Sequence, residues 1–237
     1  MQKRDVLYTG KAKTVYRTDK PHQYIMEYRD DTSAFNAEKI EALSNKGRVN
    51  NLINASIMQH LEQAGIPTHF IEVISPTDTV VKALTMLPIE CVVRNRVTGS
   101  FAKRLGLKKG DVLPIPVFEF FYKNDALGDP LVNDSHILCM GWATQEQLAH
   151  MKAMSLKIND ILVPYFDHAG MILADFKVEF GLDEHGTLCL GDEFTPDGCR
   201  VWDKNTGFIY DKDRFRQDMG GVVEAYKMVA QKLGISV

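Results

Sequence analysis

Hydrophobic and polar positions change rhythm several times along the 237 residues. Up to residue 28 the apolar content is β-branched and aromatic: Tyr8, Val15 and Tyr16, then Tyr24-Ile25-Met26-Glu27-Tyr28. Gly10 and Asp19-Lys20-Pro21 punctuate it, so this region reads as short strands joined by turns. Over 46–64 the pattern lengthens to helical spacing, with Leu52, Ile53, Ile57, Leu61 and Ala64 on one stripe and Gly65 and Pro67 closing it. Residues 70–74 and 80–84 return to strand character. The first part of the chain is therefore expected to form an antiparallel sheet with one packed helix.

The second part mixes the two rhythms. A strand is expected over 88–97, a short helix from Gly99-Ser100, and a strand over 118–122. Leu148, Met151, Ile158, Ile161, Leu162 and Tyr165 place one stripe on a helix over 145–167. Residues 171–180 and 187–190 read as a hairpin. One last helix is expected over 213–233, carrying Phe215, Met219, Val222, Val223, Tyr226 and Leu233. The change of pattern divides the chain into 1–85 and 86–237.

Composition narrows the class. The chain is 45% hydrophobic and 25% charged, as folded domains are. A formal net charge of −3 gives no global basic field of the kind nucleic-acid binders use, though a small basic pocket stays open. No apolar run approaches the roughly 20 residues of a membrane helix, and MQKRDVLYTG does not read as a leader. Cys91, Cys139, Cys189 and Cys199 form no C-x-x-C pair and read as free thiols. A cytoplasmic protein, binding neither nucleic acid nor membrane, is expected.

Four segments carry candidate chemistry. In Tyr8-Thr9-Gly10-Lys11-Ala12-Lys13-Thr14-Val15-Tyr16 a glycine sits between strands with lysines beside it. Such a turn can face phosphates, or can be a plain hairpin with solvated lysines; it is neither a Walker motif nor a kinase glycine loop. In the strand of LPIECVVRNRVTGS, Glu90, Val92, Arg94 and Arg96 share a face, and the strand runs into Gly99-Ser100. Arginines beside a helix start suit an anion; the alternative is a surface strand followed by a serine N-cap. In LADFKVEFG, Asp175, Lys177 and Glu179 alternate with Phe176, Val178 and Phe180. A four-residue turn at Asp183-Glu184-His185-Gly186 would set Lys177 opposite Asp192 with Glu179 diagonal to it. Two carboxylates there could hold Mg²⁺, or simply make surface ion pairs. Last, Arg200 follows the turn Pro196-Asp197-Gly198, while Lys212 and Arg216 lie at i, i+4 where a helix begins. Basic residues there call for an anion or for pairing with the nearby aspartates.

Taken in order, these segments resemble the SAICAR synthase family over almost the whole chain. LPIECVVRNRVTGS carries Pro88, Glu90, Arg94, Gly99 and Ser100 of one family signature, and LADFKVEFG carries Asp175, Lys177, Glu179 and Gly181 of another. YTGKAKTVY, GDEFTPDGCRVWD and DKDRFR also look like family elements. One position departs: Ser33-Ala34-Phe35-Asn36 has Asn36 where many members have an aspartate, so a carboxylate role is lost there.

The resemblance implies an α+β fold, with a two-layer N-terminal antiparallel-sheet domain, a mixed α/β C-terminal domain and an ATP cleft between them, distantly similar to kinase and ATP-grasp architectures. It implies ATP-dependent ligation of 5-aminoimidazole-4-carboxy ribonucleotide (CAIR) with L-aspartate through an acyl phosphate, and a homodimer. Gly10, Lys11, Ala12, Lys13 and Val15 would form an ATP flap, and Lys82 and Met86 a hinge against adenine. Lys123 would join the nucleotide site. Glu179 and Asp192 would hold Mg²⁺. Glu90, Arg94, Ser100, Asp129 and Arg200 would bind CAIR, with Arg94, Ser100 and Arg200 on its 5′-phosphate. Lys177 would stabilise the acyl phosphate, and Asp175 would orient it or the amine. A small-molecule kinase on a related scaffold and a non-catalytic nucleotide-binding module are the competing readings. The first would need a hydroxyl acceptor, the second no Lys177.

Overall fold

A computed structural model describes residues 1–34 and 39–237; Asn36 lies outside the described residues. The chain begins with β1 (Lys3–Thr9), β2 (Lys13–Thr18) and β3 (Gln23–Tyr28), then a small hairpin of β4 (Asp31–Ala34) and β5 (Lys39–Ala42). Helix α1 (Lys46–Gln63) follows, then β6 (Phe70–Val73) and β7 (Asp78–Lys82). The first sheet has the order β1-β2-β3-β7-β6, antiparallel throughout. Residues after Lys82 cross into a second sheet.

That sheet starts with β8 (Thr85–Arg96) and continues after the short helix α2 (Gly99–Leu105) with β9 (Val112–Tyr122) and β10 (Leu131–Val132). Helices α3 (Asp134–Cys139) and α4 (Gln145–His168) come next, then β11 (Met171–Leu182), β12 (Leu188–Gly191) and β13 (Cys199–Asp203). The order is β10-β9-β8-β11-β12, with β13 also paired to β11. Two helices, α5 (Asp213–Arg216) and α6 (Val222–Lys232), end the chain where the sequence pattern implied one. Gly220 and Gly221 break it, both at positive φ, a conformation no helix interior contains.

Helix α4 starts in a capping box: the Thr144 hydroxyl accepts from the Gln147 N–H and the Gln147 side chain accepts from the Thr144 N–H. Its stripe of Leu148, Met151, Ile158, Leu162 and Phe166 is buried and packs on the second sheet, against Cys91, Val93, Phe176, Val178 and Phe180. Each such side chain contributes about 1.5–3 kcal/mol by leaving water. The alternation along β11 does the rest. With Phe176, Val178 and Phe180 committed to α4, Asp175, Lys177 and Glu179 must point the other way, toward the first sheet. Helix α1 lies against β3, β6 and β7 and against α6, so its Val49, Ile53, Ile57 and Leu61 join the same core as α4. That core reaches the first sheet at Phe70, while Met26, Tyr28 and Val81 form a small second cluster on that sheet. Among the described residues no helix is long and apolar enough to cross a membrane.

The hairpin register differs from the expected one. Glu179 pairs with Gly191 and Leu182 with Leu188, because the loop is a residue longer: Asp183 N–H donates to the Thr187 carbonyl. Asp192 therefore does not face Lys177 across the ladder. It leaves the strand at φ 56, in the left-handed region, and this turn swings its carboxylate back toward Lys177.

Candidate active site

The cleft between the sheets holds two connected cavities. The first, of about 170 Å³, is an apolar slot lined by Val15, Tyr24, Met26, Val81, Leu84 and Met86. The second, of about 160 Å³, is polar and includes Gly10, Lys11 and Ala12 on the turn between β1 and β2, with Glu90, Asp129 and Lys177. Lys13, Lys123, Glu179 and Asp192 line both. Glycines bring the slot's wall close. A Cβ on Gly181 would lie 2.8 Å from the Leu84 Cβ, and one on Gly191 3.0 Å from the Met86 sulfur, so the connection from β7 to β8 can rest directly on β11 and β12.

Lys177 sits at the centre of the polar cavity. Its amine donates to Glu179 Oε1 at 2.6 Å and to Glu90 Oε1 at 3.0 Å, and lies 3.6 Å from Asp192. Burial alone would depress its pKa; Glu179 and Glu90 outweigh burial and raise it, so the amine stays charged. Glu179 shows the mirror effect. Burial would raise its pKa, yet Lys177, Lys123 and Lys13 bring it down to about 2. Lys123 pairs with Glu179 and Lys13 with Asp192. Burial raises Glu90 against the opposing pull of Lys177. Lys11 reaches Asp125 at 2.8 Å on the surface, and Lys82 donates to the Thr68 carbonyl at 2.9 Å.

Two rows along the same face of β11, about 13 Å from Glu179, stands a second charged cluster. Asp175 is opposite Arg94 on β8 and Arg200 on β13. Its Oδ2 accepts from Arg94 at 3.0 Å, from Arg200 at 2.8 Å and from the Thr98 hydroxyl. Arg94 also donates to Glu119 at 2.7 Å, and Arg200 to Asp213 at 3.1 Å. Ser100 Oγ accepts at 3.4 Å from Arg94 and 3.3 Å from Arg104. The N-cap position of α2 is Thr98, whose hydroxyl bonds Asp175 rather than the helix. Arg200 lies over Gly99, with guanidinium nitrogens 3.0 and 3.1 Å from where a Cβ would be.

The site therefore separates what the sequence pattern grouped. Asp175 and Lys177 share a face, but the Asp175 carboxylate is given wholly to arginines and Thr98. Lys212 and Arg216 do not form one patch: Arg216 pairs with Asp213 at 2.7 Å, and Lys212 lies 3.8 Å from Asp197. Asp129 accepts from the Asn124 N–H at 2.9 Å while lining the polar cavity.

Several supporting residues gave no sequence signal because their partners are distant in the chain. Arg29 braces the glycine turn through the Gly10 carbonyl at 2.7 Å and the Thr14 hydroxyl at 2.6 Å. Glu119 holds Arg94 and Arg104 together. In a larger hollow of about 460 Å³ near Lys39 and Arg214 both cations are engaged: Lys39 donates to the Phe215 carbonyl, and Arg214 to those of Ile209, Met219 and Gly220.

A family model described as SAICAR synthetase matches residues 6–233. The phosphoribosylaminoimidazole-succinocarboxamide synthase of Alteromonas mediterranea is 58% identical over 237 residues, covering 100% of both chains. The crystal structure of the enzyme of that name from Ehrlichia chaffeensis superposes with a TM-score of 0.96 at 42% identity, over 98% of this chain and 100% of that one. A SAICAR synthetase solved in complex with ADP gives a TM-score of 0.93 at 42% identity, over 97% of each.

Proposed function

The chain belongs to the SAICAR synthetase family, and from that premise we infer how its residues divide the ATP-dependent ligation of CAIR with L-aspartate, which gives SAICAR, ADP and phosphate in purine biosynthesis. A carboxylate resists an amine because its carbon has no good leaving group. In the first step a CAIR carboxylate oxygen attacks the γ-phosphorus of ATP. The bond to the bridging oxygen breaks, ADP leaves and an acyl phosphate forms. In the second, the unprotonated aspartate amine attacks the acyl carbon. The carbon–oxygen bond to phosphate breaks, the amine proton is lost and the amide remains.

The apolar slot is the adenine site in this reading, with Lys82 and Met86 at its hinge and Gly10, Lys11, Ala12, Lys13 and Val15 closing over the phosphates. A relative solved in complex with ADP supports the use of a nucleotide, and the apolar slot beside the lysines is where this reading puts it. Glu179 and Asp192 would hold Mg²⁺, which would neutralise the phosphate oxygens. Their chemistry fits. Among the described residues no three ligating side chains are grouped as a cation cage, and Mg²⁺ takes one or two carboxylates plus substrate phosphates. Lys13, Lys123 and Lys177 already neutralise those carboxylates and are placed to turn toward phosphate oxygens.

Lys177 stabilises the transferring phosphoryl group and the acyl phosphate, held in aim by Glu90. Arg94, Ser100 and Arg200 take the 5′-phosphate, and Asp129, which lines the polar cavity with Glu90 and Lys177, faces CAIR. Asp175 acts on the arginines, as a positioning residue, rather than on the amine. The observation that carries this assignment is Lys177 set between Glu90 and Glu179, in the polar cavity that adjoins the slot and on the same sheet face as the arginines. By likeness to the family we take the protein to work as a cytoplasmic homodimer; sedimentation at monomer mass would remove that part.

The test is ADP release from MgATP and CAIR, with and without L-aspartate, while following amide formation. ADP and amide appearing together only with all three substrates is expected. ADP without an aspartate requirement and without amide would point to a kinase-like activity instead.

A further inference from the structure

Five lysines line the polar cavity, and when the anions of this reaction are matched to the cations around them one of the five is left over. The triphosphate has Lys11, Lys13 and Lys123. The CAIR phosphate has Arg94 and Arg200. The CAIR carboxylate and its acyl phosphate have Lys177. The two carboxylates of L-aspartate have none of these. The unclaimed cation is Lys212.

Lys212 lines the polar cavity together with Lys177, Glu90 and Asp192. It is only 9% exposed. Among the described residues its amine makes no hydrogen bond, and its one ion-pair neighbour, Asp197 Oδ1, is 3.8 Å away. Lys212 helps to keep Asp197 ionised from that distance, but Asp197 takes its hydrogen bonds elsewhere. That carboxylate accepts from Lys46 at 2.5 Å, from Asn50 at 2.9 Å and from the Tyr226 hydroxyl at 2.8 Å. Lys11, Lys13, Lys123 and Lys177, by contrast, each have a carboxylate in hydrogen-bond contact. The Lys212 side chain is mostly buried while its ammonium opens on the cavity without a protein hydrogen bond, which leaves its donors for an arriving anion. Burial pushes the Lys212 pKa down, with Asp197 opposing; an anion arriving beside it would relieve that cost.

The backbone fixes its place. Lys212 N–H donates to the Pro196 carbonyl at 3.1 Å, and the Gly198 carbonyl two residues on accepts from Lys177 N–H at 2.9 Å. The Pro196-Asp197-Gly198 turn thus ties Lys212 to the strand that carries Lys177. Resting on the SAICAR synthetase reading, we propose that the Lys212 amine binds a carboxylate of the incoming L-aspartate and holds its amine on the Lys177 side of the cavity.

The test measures KM for each substrate and inhibition by succinate, a dicarboxylate with no amine, in the wild type, Lys212→Met and Lys212→Arg. Loss of a charge-assisted hydrogen bond should raise the KM for L-aspartate and the succinate Ki together, by about 10- to 100-fold in Lys212→Met. The KM values for ATP and CAIR should stay within a few-fold, and Lys212→Arg should recover part of the loss. A rise confined to the CAIR KM would overturn the proposal and put Lys212 on the imidazole carboxylate. Unchanged KM and Ki values with a lowered melting temperature would overturn it too, making Lys212 a structural partner of Asp197. If the wild type forms no amide from CAIR and L-aspartate, it is the family reading that fails, which the wild-type assay reports separately.

Discussion

The lysine cluster around Glu179 and the arginine cluster around Asp175 share one face of one sheet, two strand rows apart, yet they are built on different principles. Around Glu179 the cations are lysines, compact charges on flexible stems, and Lys123 is 38% exposed. Their carboxylate partners are the residues offered above as metal ligands. Around Asp175 the cations are arginines, with Arg94 bonded to Asp175, Glu119, Thr98 and Ser100 at once. Planar guanidinium groups pinned at several points give a fixed socket, suited to a group that stays in place through the reaction, such as a nucleotide phosphate. Lysine–carboxylate pairs can exchange partners, which suits a group that is transferred. One region is prepared in advance; the other is completed by its ligands.

The strongest way to break that contrast is at its rigid end. Asp175→Ala leaves Arg94 and Arg200 facing each other without their common carboxylate. The unfolding free energy in urea should fall by about 3–5 kcal/mol, the cost of breaking a buried pair from one side. A small change would mean that the arginine socket does not rely on Asp175. At the exchangeable end, Lys177→Ala should reduce kcat by at least about 10³-fold while leaving the Kd for ATP within a few-fold. Normal turnover would take Lys177 out of the chemistry.

Arg200→Ala should act on binding instead, raising the KM for CAIR by about 10- to 100-fold with little change for ATP. Equal effects on both would place Arg200 outside the phosphate site. A gentler probe uses pH. Glu179 is held at about 2 against an ordinary 4.5, so on acidification the unfolded chain takes up a proton that the native state refuses. The stability it contributes is whole above pH 4.5 and is lost as pH falls toward 2. Lys123→Met removes one of the cations responsible, raising Glu179 and flattening the loss of urea stability between pH 5 and 3. Arg200→Ala should leave the Glu179 component unchanged, since Arg200 belongs to the other cluster. The smallest effect is expected at the flap: Lys11→Ala breaks an exposed pair with Asp125 and should cost less than about 1 kcal/mol of stability.

Local pattern alone was enough to place α1 and α4, the strand carrying Asp175, Lys177 and Glu179, and the face each residue takes. Helical spacing and strict alternation report which side of an element is apolar, and burial of Phe176, Val178 and Phe180 leaves their neighbours no other direction. The signature segments supplied most of the other candidates, because each carries its chemistry within a short stretch; Lys82, Met86, Lys123 and Asp129 lie outside them and came from the family resemblance alone.

What local pattern could not decide was which of those side chains meet. The hairpin register depends on one extra loop residue, and the position of Asp192 on a left-handed turn after Gly191; no periodicity encodes either. Asp175 turned out to serve the arginines because β8, β11 and β13 bring Arg94, Asp175 and Arg200 into one row, from positions up to 106 residues apart. Arg29 and Glu119 hold the site from outside its signatures, and the choice left open for Lys212, between an anion and a nearby aspartate, turns on a side chain that is mostly buried and makes no protein hydrogen bond among the described residues. Amino-acid sequence fixes what each element would bury; the pairing of charges across elements is set by packing, since Coulomb and hydrogen-bond terms act over a few ångströms of space, whatever the separation along the chain.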